Sequence, residues 1–373
     1  MSKVLLVTTI YPPQIGGPAT FINHFARFLS DKGHKVSVVC ISEKKYPEMD
    51  KTEPFNIYRI TPGFFRITFH LRKWIALIWF ILTNDKILIN GIYDESADIC
   101  ILFKKQYILK IVGDSAWEYA RNNSLTTLNI DEFQTAEILS PQIQAIRKKM
   151  RKYVMNALFV YVPSMYLKTI VHGWGKEKDK IVVINNGVEM VEAKTLKPNT
   201  QNLTFKILFV GRITNWKGVE FLLAAVRDIK NIELNICGDG PALNFCIELN
   251  RRLGNSNVKF HGRVSHEVIK VHLENTDILV LPSLYEGLSH TILEAMAFGK
   301  PSLASAIGGN PEAIKHAHNG MLFNPYDLNE LKDQILFLRD NPDFLIKLSA
   351  GCIDTINKFD SKQVYTQIEK LVC

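Results

Sequence analysis

The chain has 373 residues with 47% hydrophobic and 22% charged side chains, proportions of an ordinary soluble protein large enough to bury two cores. Its most apolar run, residues 74–82, is far shorter than the roughly 20 residues that a membrane-spanning helix needs, so no such helix is expected. The formal net charge is +8, and the whole excess of Lys and Arg falls in residues 1–190. This asymmetry indicates an anionic partner or surface there, unless it is only the modest basicity that many proteins have.

The first half of the chain predicts a parallel sheet. A strand at 4–9, a helix at 19–32 that ends before Gly33 and a strand at 35–41 form a strand–helix–strand unit, which is typical of parallel sheets. Further strands are predicted at 86–90, 99–103, 108–112, 158–162 and 181–185.

The second half repeats this plan. Strands are predicted at 205–210, 233–237, 258–261, 278–282 and 302–306. Helices are predicted between them, near 218–230, 241–253, 266–274 and 290–298. We therefore predict two doubly wound parallel-sheet domains that face each other, joined by the polar stretch 189–202, with a last helix at 359–372.

The most informative segment runs from Glu286 to Gly299. Ser289 is suited to cap a helix over 291–298, which Gly299 and a nearby proline would end. Glu286 and Glu294 stand eight positions apart in the sequence, hence about 80° apart around a helix axis, so both carboxylates could face one cleft. Backbone N–H groups at the helix start attract anions, and such a cradle with two hydroxyl acceptors suits a sugar diphosphate. The alternative is a helix with one surface carboxylate and one capping carboxylate.

Two cations follow the predicted strand 205–210. Arg212 and Lys217 lie on the loop after this strand, and open α/β sheets bind ligands beyond the carboxyl ends of their strands. A guanidinium can grip two phosphate oxygens, and an ammonium adds a compact positive charge. Either residue alone would more often be an ordinary surface cation. Together with the two glutamates they indicate a diphosphate site.

Several short motifs carry a resemblance to one enzyme family. They are Tyr11-Pro12-Pro13 with Gly16-Gly17, Asn186-Gly187-Val188, Gly211-Arg212 with Lys217-Gly218, Gly238-Asp239-Gly240-Pro241, Pro282-Ser283 with Glu286-Gly287, and Glu294-Ala295. Over nearly its whole length the sequence resembles the retaining glycosyltransferases of the GT-B architecture, in particular the GT4 family of group 1 glycosyl transferases. The resemblance implies an α/β fold of two Rossmann-like doubly wound parallel-sheet domains around a central cleft. It assigns residues 1–190 and 355–373 to an N-terminal acceptor-binding domain, and residues 200–354 to a C-terminal nucleotide-sugar-binding domain.

The resemblance also implies a role for each site residue. Glu294 would hold the ribose hydroxyls of the nucleotide, and Glu286 would hold hydroxyls of the transferred sugar as part of the catalytic site. Arg212 and Lys217 would stabilise the departing diphosphate, and fixed cations there favour the transition state because bond cleavage makes that group more negative. The remaining donor contacts would come from backbone N–H groups of Gly287, Leu288 and Ser289 and, beside the base, from Arg263 and Val264.

The acceptor side departs from the family pattern. Many relatives carry His-Asp after a strand, whereas this chain has Gly113-Asp114 and so lacks the imidazole. Asp114 could orient an acceptor hydroxyl as a catalytic residue or could cap the following turn, and the sequence supports both roles equally. Gly16 and Gly17 form the acceptor-side loop, where glycines either allow close approach of a ligand or simply make a turn.

Two N-terminal segments bear on the acceptor. Residues 143–154 carry an apolar stripe beside basic side chains, which is typical of a helix on an anionic membrane or, more often, of a packed helix with a solvated face. The apolar run 74–82 follows Arg66, Arg72 and Lys73. We hypothesise that this domain contacts the anionic inner face of the cell membrane to reach a saccharide or lipid-linked saccharide acceptor.

No cofactor and no metal are expected. The chain has no Asp-x-Asp triplet to clamp a metal–diphosphate, so the two cations are predicted to replace a divalent ion. The six cysteines include no C-x-x-C pair, which predicts neither a zinc site nor disulfides and fits a reducing cytoplasm. We expect a cytoplasmic protein, either free or peripheral on the membrane, with a nucleotide sugar and no nucleic acid as its partner.

Three activities fit parts of this pattern. The leading one is retaining transfer of a sugar from a UDP- or GDP-sugar to a saccharide or lipid-linked saccharide, in surface polysaccharide or glycolipid biosynthesis. The alternative is a nucleotide-sugar epimerase of GT-B fold, which needs no separate acceptor. A dinucleotide-dependent oxidoreductase is disfavoured because residues 238–243 lack the last small residue of G-x-G-x-x-G.

Overall fold

The computed structural model describes residues 1–14, 16–62, 66–137, 139–192 and 204–373. These residues form two parallel sheets with helices packed against them. We call the first sheet with its helices the first lobe, and the second sheet with its helices the second lobe. The architecture agrees with the predicted pair of doubly wound parallel-sheet domains.

The first sheet contains seven parallel strands. Their bounds are β1 Lys3–Thr8, β2 Lys35–Ile41, β3 Asn56–Ile60, β4 Lys86–Ile89, β5 Ile108–Lys110, β6 Phe159–Val162 and β7 Ile181–Val183. They lie in the order β3-β2-β1-β4-β5-β6-β7. The interior strand β1 is an apolar run with Val4 to Val7 fully buried, as expected for a strand that is covered on both faces.

The second sheet contains six strands with a corresponding order. Their bounds are β8 Phe205–Val210, β9 Ile232–Cys237, β10 Val258–Gly262, β11 Ile278–Leu281, β12 Ser302–Ser305 and β13 Gly320–Phe323. They lie in the order β10-β9-β8-β11-β12-β13. In both sheets the strand order reverses beside the first strand, at β1/β4 and β8/β11, which is the point where open α/β sheets bind ligands.

Helices connect the strands of both lobes. Those of the first half are α1 Gly17–Asp31, α2 Pro47–Asp50, α3 Arg66–Thr83, α4 Tyr93–Leu102, α5 Ser115–Asn122, α6 Ile130–Thr135, α7 Pro141–Asn156 and α8 Met165–Gly173. Those of the second half are α9 Val219–Ala225, α10 Leu243–Leu253, α11 His266–Glu274, α12 His290–Ala297, α13 Asn310–Ala313, α14 Leu328–Asp340, α15 Pro342–Ile356 and α16 Ser361–Val372.

The strand predicted at 99–103 is wrong, because these residues form the end of α4 and the turn after it. A short apolar run does not distinguish a strand from a buried helix segment. Here Asp94 and Glu95 lie in the first turn of the helix, where carboxylates interact favourably with the positive end of the helix dipole. Ile99 and Cys100 are buried in a hydrophobic core of the first lobe. The strands β3 and β13 were not predicted.

Helix α7, which contains the apolar stripe of residues 143–154, is a packed helix. Ile143, Met150 and Val154 are buried in a hydrophobic core of the first lobe. Two of its lysines form ion pairs with α4: Lys149 with Asp94 at 2.9 Å and Lys152 with Asp98 at 2.7 Å. The packed-helix alternative is therefore correct for this segment.

The last helix, α16, lies on the first lobe. The ring of Tyr365 is 5.7 Å from that of Phe25 and 6.2 Å from that of Phe21, both on α1. Glu369 lies 3.3 Å from the imidazole of His34. The predicted domain boundaries stay a prediction, and the part of the predicted linker at 193–202 lies outside the described residues.

Candidate active site

The two lobes meet at the carboxyl ends of β5 and β11. The hydroxyl of Tyr285, after β11, donates a hydrogen bond to the carbonyl of Val112, after β5, at 3.3 Å. A Cβ atom on Gly287 would come within 2.6 Å of the same carbonyl oxygen, so this close approach requires glycine. The segment that carries the predicted donor residues therefore faces Gly113 and Asp114, the predicted acceptor-side residues.

Lys217 and Glu286 form an ion pair at this junction. Nζ of Lys217 lies 2.6 Å from Oε1 of Glu286, and the hydroxyl of Ser283 donates to the same oxygen at 2.7 Å. Glu286 is only 8% exposed, so a cation and a hydroxyl stabilise its charge in place of bulk water. The sequence predicted both residues at the site but not this direct contact. An anionic ligand would compete with Glu286 for the ammonium group.

The turn that presents Lys217 depends on the glycine after it. Gly218 has a φ of 67°, in the left-handed region that disfavours residues with a Cβ atom. A Cβ atom there would also overlap with the carbonyl oxygen of Pro282. The Lys217 loop is thus held directly against the loop that carries Ser283 and Glu286.

Glu294 lies in the second turn of α12. Ser289 caps this helix through its hydroxyl, which accepts from the N–H of Ile292 at 3.5 Å. Oε1 of Glu294 is 3.3 Å from Nε2 of His266, the first residue of α11, and this hydrogen bond raises the pKa of His266. The carboxylate therefore joins α11 to α12. Leu288, before the cap, is buried, and its carbonyl accepts from Nδ2 of Asn186 at 2.8 Å.

The other predicted donor-site residues lie on two loops of the second lobe. Arg212 follows β8 and is exposed, and Arg263 and Val264 follow β10. Arg263 is exposed, whereas Val264 packs against the hydrophobic core of the second lobe. Arg212 and Lys217 both lower the pKa of Glu118, a residue of the first lobe, so the two cations act across the cleft.

Asp114 caps α5. Its Oδ1 accepts from the backbone N–H groups of Ala116 and Trp117 at 2.9 and 3.1 Å, and its Oδ2 accepts from Nε2 of Gln134 at 2.8 Å. The residue is 3% exposed. Both carboxylate oxygens are thus engaged within the first lobe, as the capping alternative predicts. A catalytic role for Asp114 stays a prediction.

Glu118 is a candidate site residue that the sequence analysis missed. It lies one turn after Asp114 on α5 and is half-buried. Burial raises the pKa of its carboxyl to about 7, and Asp114 adds to this effect while Lys217 and Arg212 oppose it. A Cβ atom on Gly113 would overlap with Oε1 of Glu118, so Glu118 fills the space beside the position of the missing imidazole. The signal was the four-residue spacing, which places Glu118 one turn beyond the capping residue Asp114.

Aromatic rings from both lobes also pack at the junction. Trp117 of the first lobe lies 5.4 Å from Trp216 and 5.2 Å from Tyr285 of the second lobe, measured between ring centroids. All three side chains are buried. Such pairs contribute about 0.5–1.5 kcal/mol each beyond their burial, so they favour this arrangement of the lobes.

The glycine loop after β1 borders the start of α12. A Cβ atom on Gly17, which follows Gly16, would lie 3.7 Å from Cδ2 of His290, an ordinary contact distance. Burial lowers the pKa of His290 to about 4, and the neighbouring Lys110 adds to this effect. The predicted acceptor-side loop therefore reaches the anion-attracting end of α12 with a neutral imidazole beside it.

Two Rossmann-like parallel-sheet lobes, with cations and carboxylates where the lobes meet, are the architecture of the GT-B fold class. Residues 191–355 match the family model described as Glycosyl transferases group 1. An uncharacterized glycosyltransferase of Methanocaldococcus jannaschii is 30% identical over 374 residues, covering 98% of this chain and 97% of the relative. The chain belongs to the group 1 glycosyl transferase family.

Solved structures share the fold over the whole chain. Sucrose-phosphate synthase from Thermosynechococcus elongatus superposes with a TM-score of 0.78 at 19% identity, covering 100% of this chain and 98% of that one. HepE from Anabaena, crystallised with UDP-glucose, has a TM-score of 0.79 at 18% identity and covers 100% of this chain and 99% of its own. The predicted GT-B fold is confirmed. Within the described ranges, no helix is both long and apolar enough to cross a membrane.

Proposed function

We propose that this enzyme transfers a sugar, with retention of anomeric configuration, from a UDP- or GDP-sugar to a saccharide or lipid-linked saccharide in surface polysaccharide or glycolipid biosynthesis. The observation that carries the proposal is the ion pair between Lys217 and Glu286, formed where the Gly287 loop of one lobe reaches Val112 of the other. A phosphate-binding cation and a hydroxyl-binding carboxylate thereby stand together at the boundary between the lobes.

The second lobe would bind the donor. A diphosphate between Arg212 and Lys217 would approach the start of α12, where free N–H groups and the helix dipole attract anions. Glu294, held by His266, would accept hydrogen bonds from the ribose hydroxyls. The complex of HepE with UDP-glucose, a protein of the same fold, supports UDP-sugars as the donors to test first.

The two cations would assist departure of the diphosphate. The bond from C1 to the diphosphate oxygen breaks, a bond from C1 to the acceptor oxygen forms on the same face, and the acceptor proton passes to the departing phosphate. As Lys217 turns from Glu286 to the phosphate, Glu286 becomes available to a sugar hydroxyl. Loss of one such contact costs on the order of 3 kcal/mol, about a hundredfold in rate. This scheme uses no divalent ion.

The first lobe would bind the acceptor. Glu118 faces the cations across the cleft, and its ionised carboxylate would accept a hydrogen bond from the acceptor hydroxyl. Asp114 would fix α5, which carries Glu118, and would add negative charge beside it. Gly16 and Gly17 would close the cleft from the same side.

An apolar helix face supports contact of the first lobe with an anionic membrane. The α3 face consists of Leu71, Ile75, Trp79 and Leu82, whose spacing places them on one side of the helix and whose exposures are 59%, 58%, 59% and 42%. Lys105 donates to the carbonyl of Leu82 at 3.3 Å, so the end of α4 lies beside this face. Arg72, which follows Leu71 on α3, is exposed, and a basic side chain there suits anionic headgroups.

Cosedimentation with phosphatidylglycerol and with phosphatidylcholine vesicles tests this contact. We expect binding to anionic vesicles, weakened at least about tenfold by Trp79→Glu with Ile75→Glu. Phe245→Glu, at a residue of the second lobe that is 61% exposed, is the matched control and should bind like the wild type. Equal binding to both lipids, or self-association through the α3 face in sedimentation velocity, would contradict membrane contact.

A thermal-shift screen with UDP-, GDP- and ADP-sugars tests the donor assignment, since a ligand that binds the folded state stabilises it by mass action. We expect one nucleoside diphosphate class to raise the Tm. Glu294→Gln should reduce this increase, and Glu267→Gln, at an exposed carboxylate on α11, should not. No increase with any of these donors would overturn the proposal.

Turnover assays separate the remaining alternatives. Incubation with the donor alone would expose an epimerase, an activity that the family membership does not favour. NMR of the product's anomeric proton tests retention. Turnover that requires added Mg²⁺ or Mn²⁺ would contradict the role given to Arg212 and Lys217.

A further inference from the structure

A group of potential metal ligands lies in the second lobe outside the ion-pair site. Cys237 ends β9, His261 lies on the neighbouring edge strand β10, and His272 lies on α11. Each offers one ligand atom, and the three atoms lie within 4.8 Å of one another. The two imidazole rings are 4.5 Å apart between centroids. Among the described residues this is the one such group of His, Cys, Asp and Glu.

We propose that Cys237, His261 and His272 bind a Zn²⁺ ion. One thiolate and two imidazoles match the ligands that zinc prefers. Tetrahedral coordination at the usual Zn–S and Zn–N lengths requires ligand atoms about 3.4–3.6 Å apart. Side-chain rotations that move the ligand atoms about 1 Å closer together would therefore complete the coordination geometry. Binding converts the thiol to a zinc thiolate and releases its proton to solvent.

The surroundings of the three ligands favour such a site. Oδ1 of Asn235 lies 2.7 Å from Nε2 of His261, and Nδ2 of Asn235 donates to Glu233 at 2.8 Å. Partners of this kind hold the ring of a ligating histidine in a fixed orientation. His272 lines a cavity together with Asn235, Glu233 and Lys206, whereas Cys237 lies behind it and is 1% exposed.

The position of the ligands predicts what the metal does. Cys237 directly precedes the Gly238 loop, and only Gly262 separates His261 from the loop of Arg263 and Val264. His272 lies on the helix whose first residue, His266, holds Glu294. The ion would therefore hold together the Gly238 loop, the loop of Arg263 and Val264, and α11. That these elements border the base and ribose of the donor rests on the proposed function. Metal binding itself does not depend on it.

Metal titration of the full chain tests the site. After treatment with a chelator and dialysis, the Cys373→Ser protein, which lacks the exposed thiol, is titrated with ZnCl₂ or CoCl₂. We expect about one equivalent to bind, with a thiolate-to-cobalt absorption band in the near ultraviolet. Cys237→Ser should abolish the band, and His272→Ala should weaken binding at least about tenfold.

Matched controls come from the same lobe. Cys246→Ser changes another buried thiol and His318→Ala another imidazole, and both should bind like the parent protein. A parent protein that takes up Co²⁺ without the band, or no metal at all, overturns the proposal without any variant. Unchanged affinity in Cys237→Ser and His272→Ala does so as well. None of these measurements uses a sugar nucleotide, so they stand apart from the donor screen.

Discussion

Replacing Glu118 with glutamine is expected to stabilise the folded chain above neutral pH. Burial raises the pKa of the Glu118 carboxyl from 4.5 to about 7, so its ionised form costs folding free energy that its neutral form does not. A difference of this size corresponds to roughly 3 kcal/mol, and partial exposure to water reduces it to about 1–2 kcal/mol. Glutamine keeps the shape and cannot ionise.

The sign follows from the pKa of the folded state, which exceeds that of the unfolded state. The folded wild type retains its proton to higher pH, so it loses stability as the pH rises from about 4.5 through about 7. Glu118→Gln escapes this loss, so the two stability curves should coincide below about pH 4.5, separate as the pH rises to about 7 and stay a constant distance apart above it. Scanning fluorimetry should then show a Tm higher by about 2–6 °C in the variant at pH 7 and above, and no difference below about pH 4.5.

The control is Glu43→Gln, which changes an exposed carboxylate and should follow the wild-type curve. Parallel curves for the wild type and Glu118→Gln between pH 5 and pH 8.5 would refute the reasoning. Turnover gives an independent measurement. If the ionised carboxylate binds the acceptor, Glu118→Gln lowers turnover and removes a rising limb with an apparent pKa of about 7, whereas Glu118→Asp keeps the limb.

Lys217→Ala and Glu294→Gln should each lower turnover at least about tenfold with the fold retained by circular dichroism, and near-normal turnover in both would remove the site assignment. Gly287→Ala places a Cβ atom 2.6 Å from a carbonyl of the first lobe, so we expect lower Tm and turnover. Gly173→Ala, where the added atom meets nothing within 4 Å, is its control. Asp114→Ala should lower the free energy of unfolding in urea by about 1–2 kcal/mol, because the helix cap is lost. Asp114→Asn keeps a capping oxygen and should retain most of the wild-type stability. Equal stabilities of the two variants would exclude the capping role.

The sequence predicted the second lobe more accurately than the first. Strand 205–210 and helix 266–274 were predicted with the observed bounds, because each combines one hydrophobic period with clear turn or cap residues at its ends. Residues 99–103 were predicted wrongly, since a short apolar run is compatible with both a strand and a buried helix. Tertiary packing against the sheet decided between them.

The residue types of the site were also readable along the chain. Arg212, Lys217 and Glu286 lie on loops that follow strands, and Glu294 lies in the second turn of the helix after the last of these loops. Such positions determine which groups reach the carboxyl edge of a parallel sheet. Their partners were not readable. The contact of Lys217 with Glu286 joins residues far apart in sequence, and Glu118 faces both cations from the other lobe.

The amino-acid sequence alone determined the strand–helix alternation, the capped helix after Glu286 and the chemistry of the loops, because these depend on local periodicity and on the side chains themselves. Only the tertiary structure decided that Asp114 caps α5, that Glu118 fills the space beside Gly113, and that a cysteine and two histidines converge. Such contacts form between residues that are far apart in the sequence. They depend on how the elements pack in three dimensions, and the spacing of residues along the chain does not show which of them become neighbours.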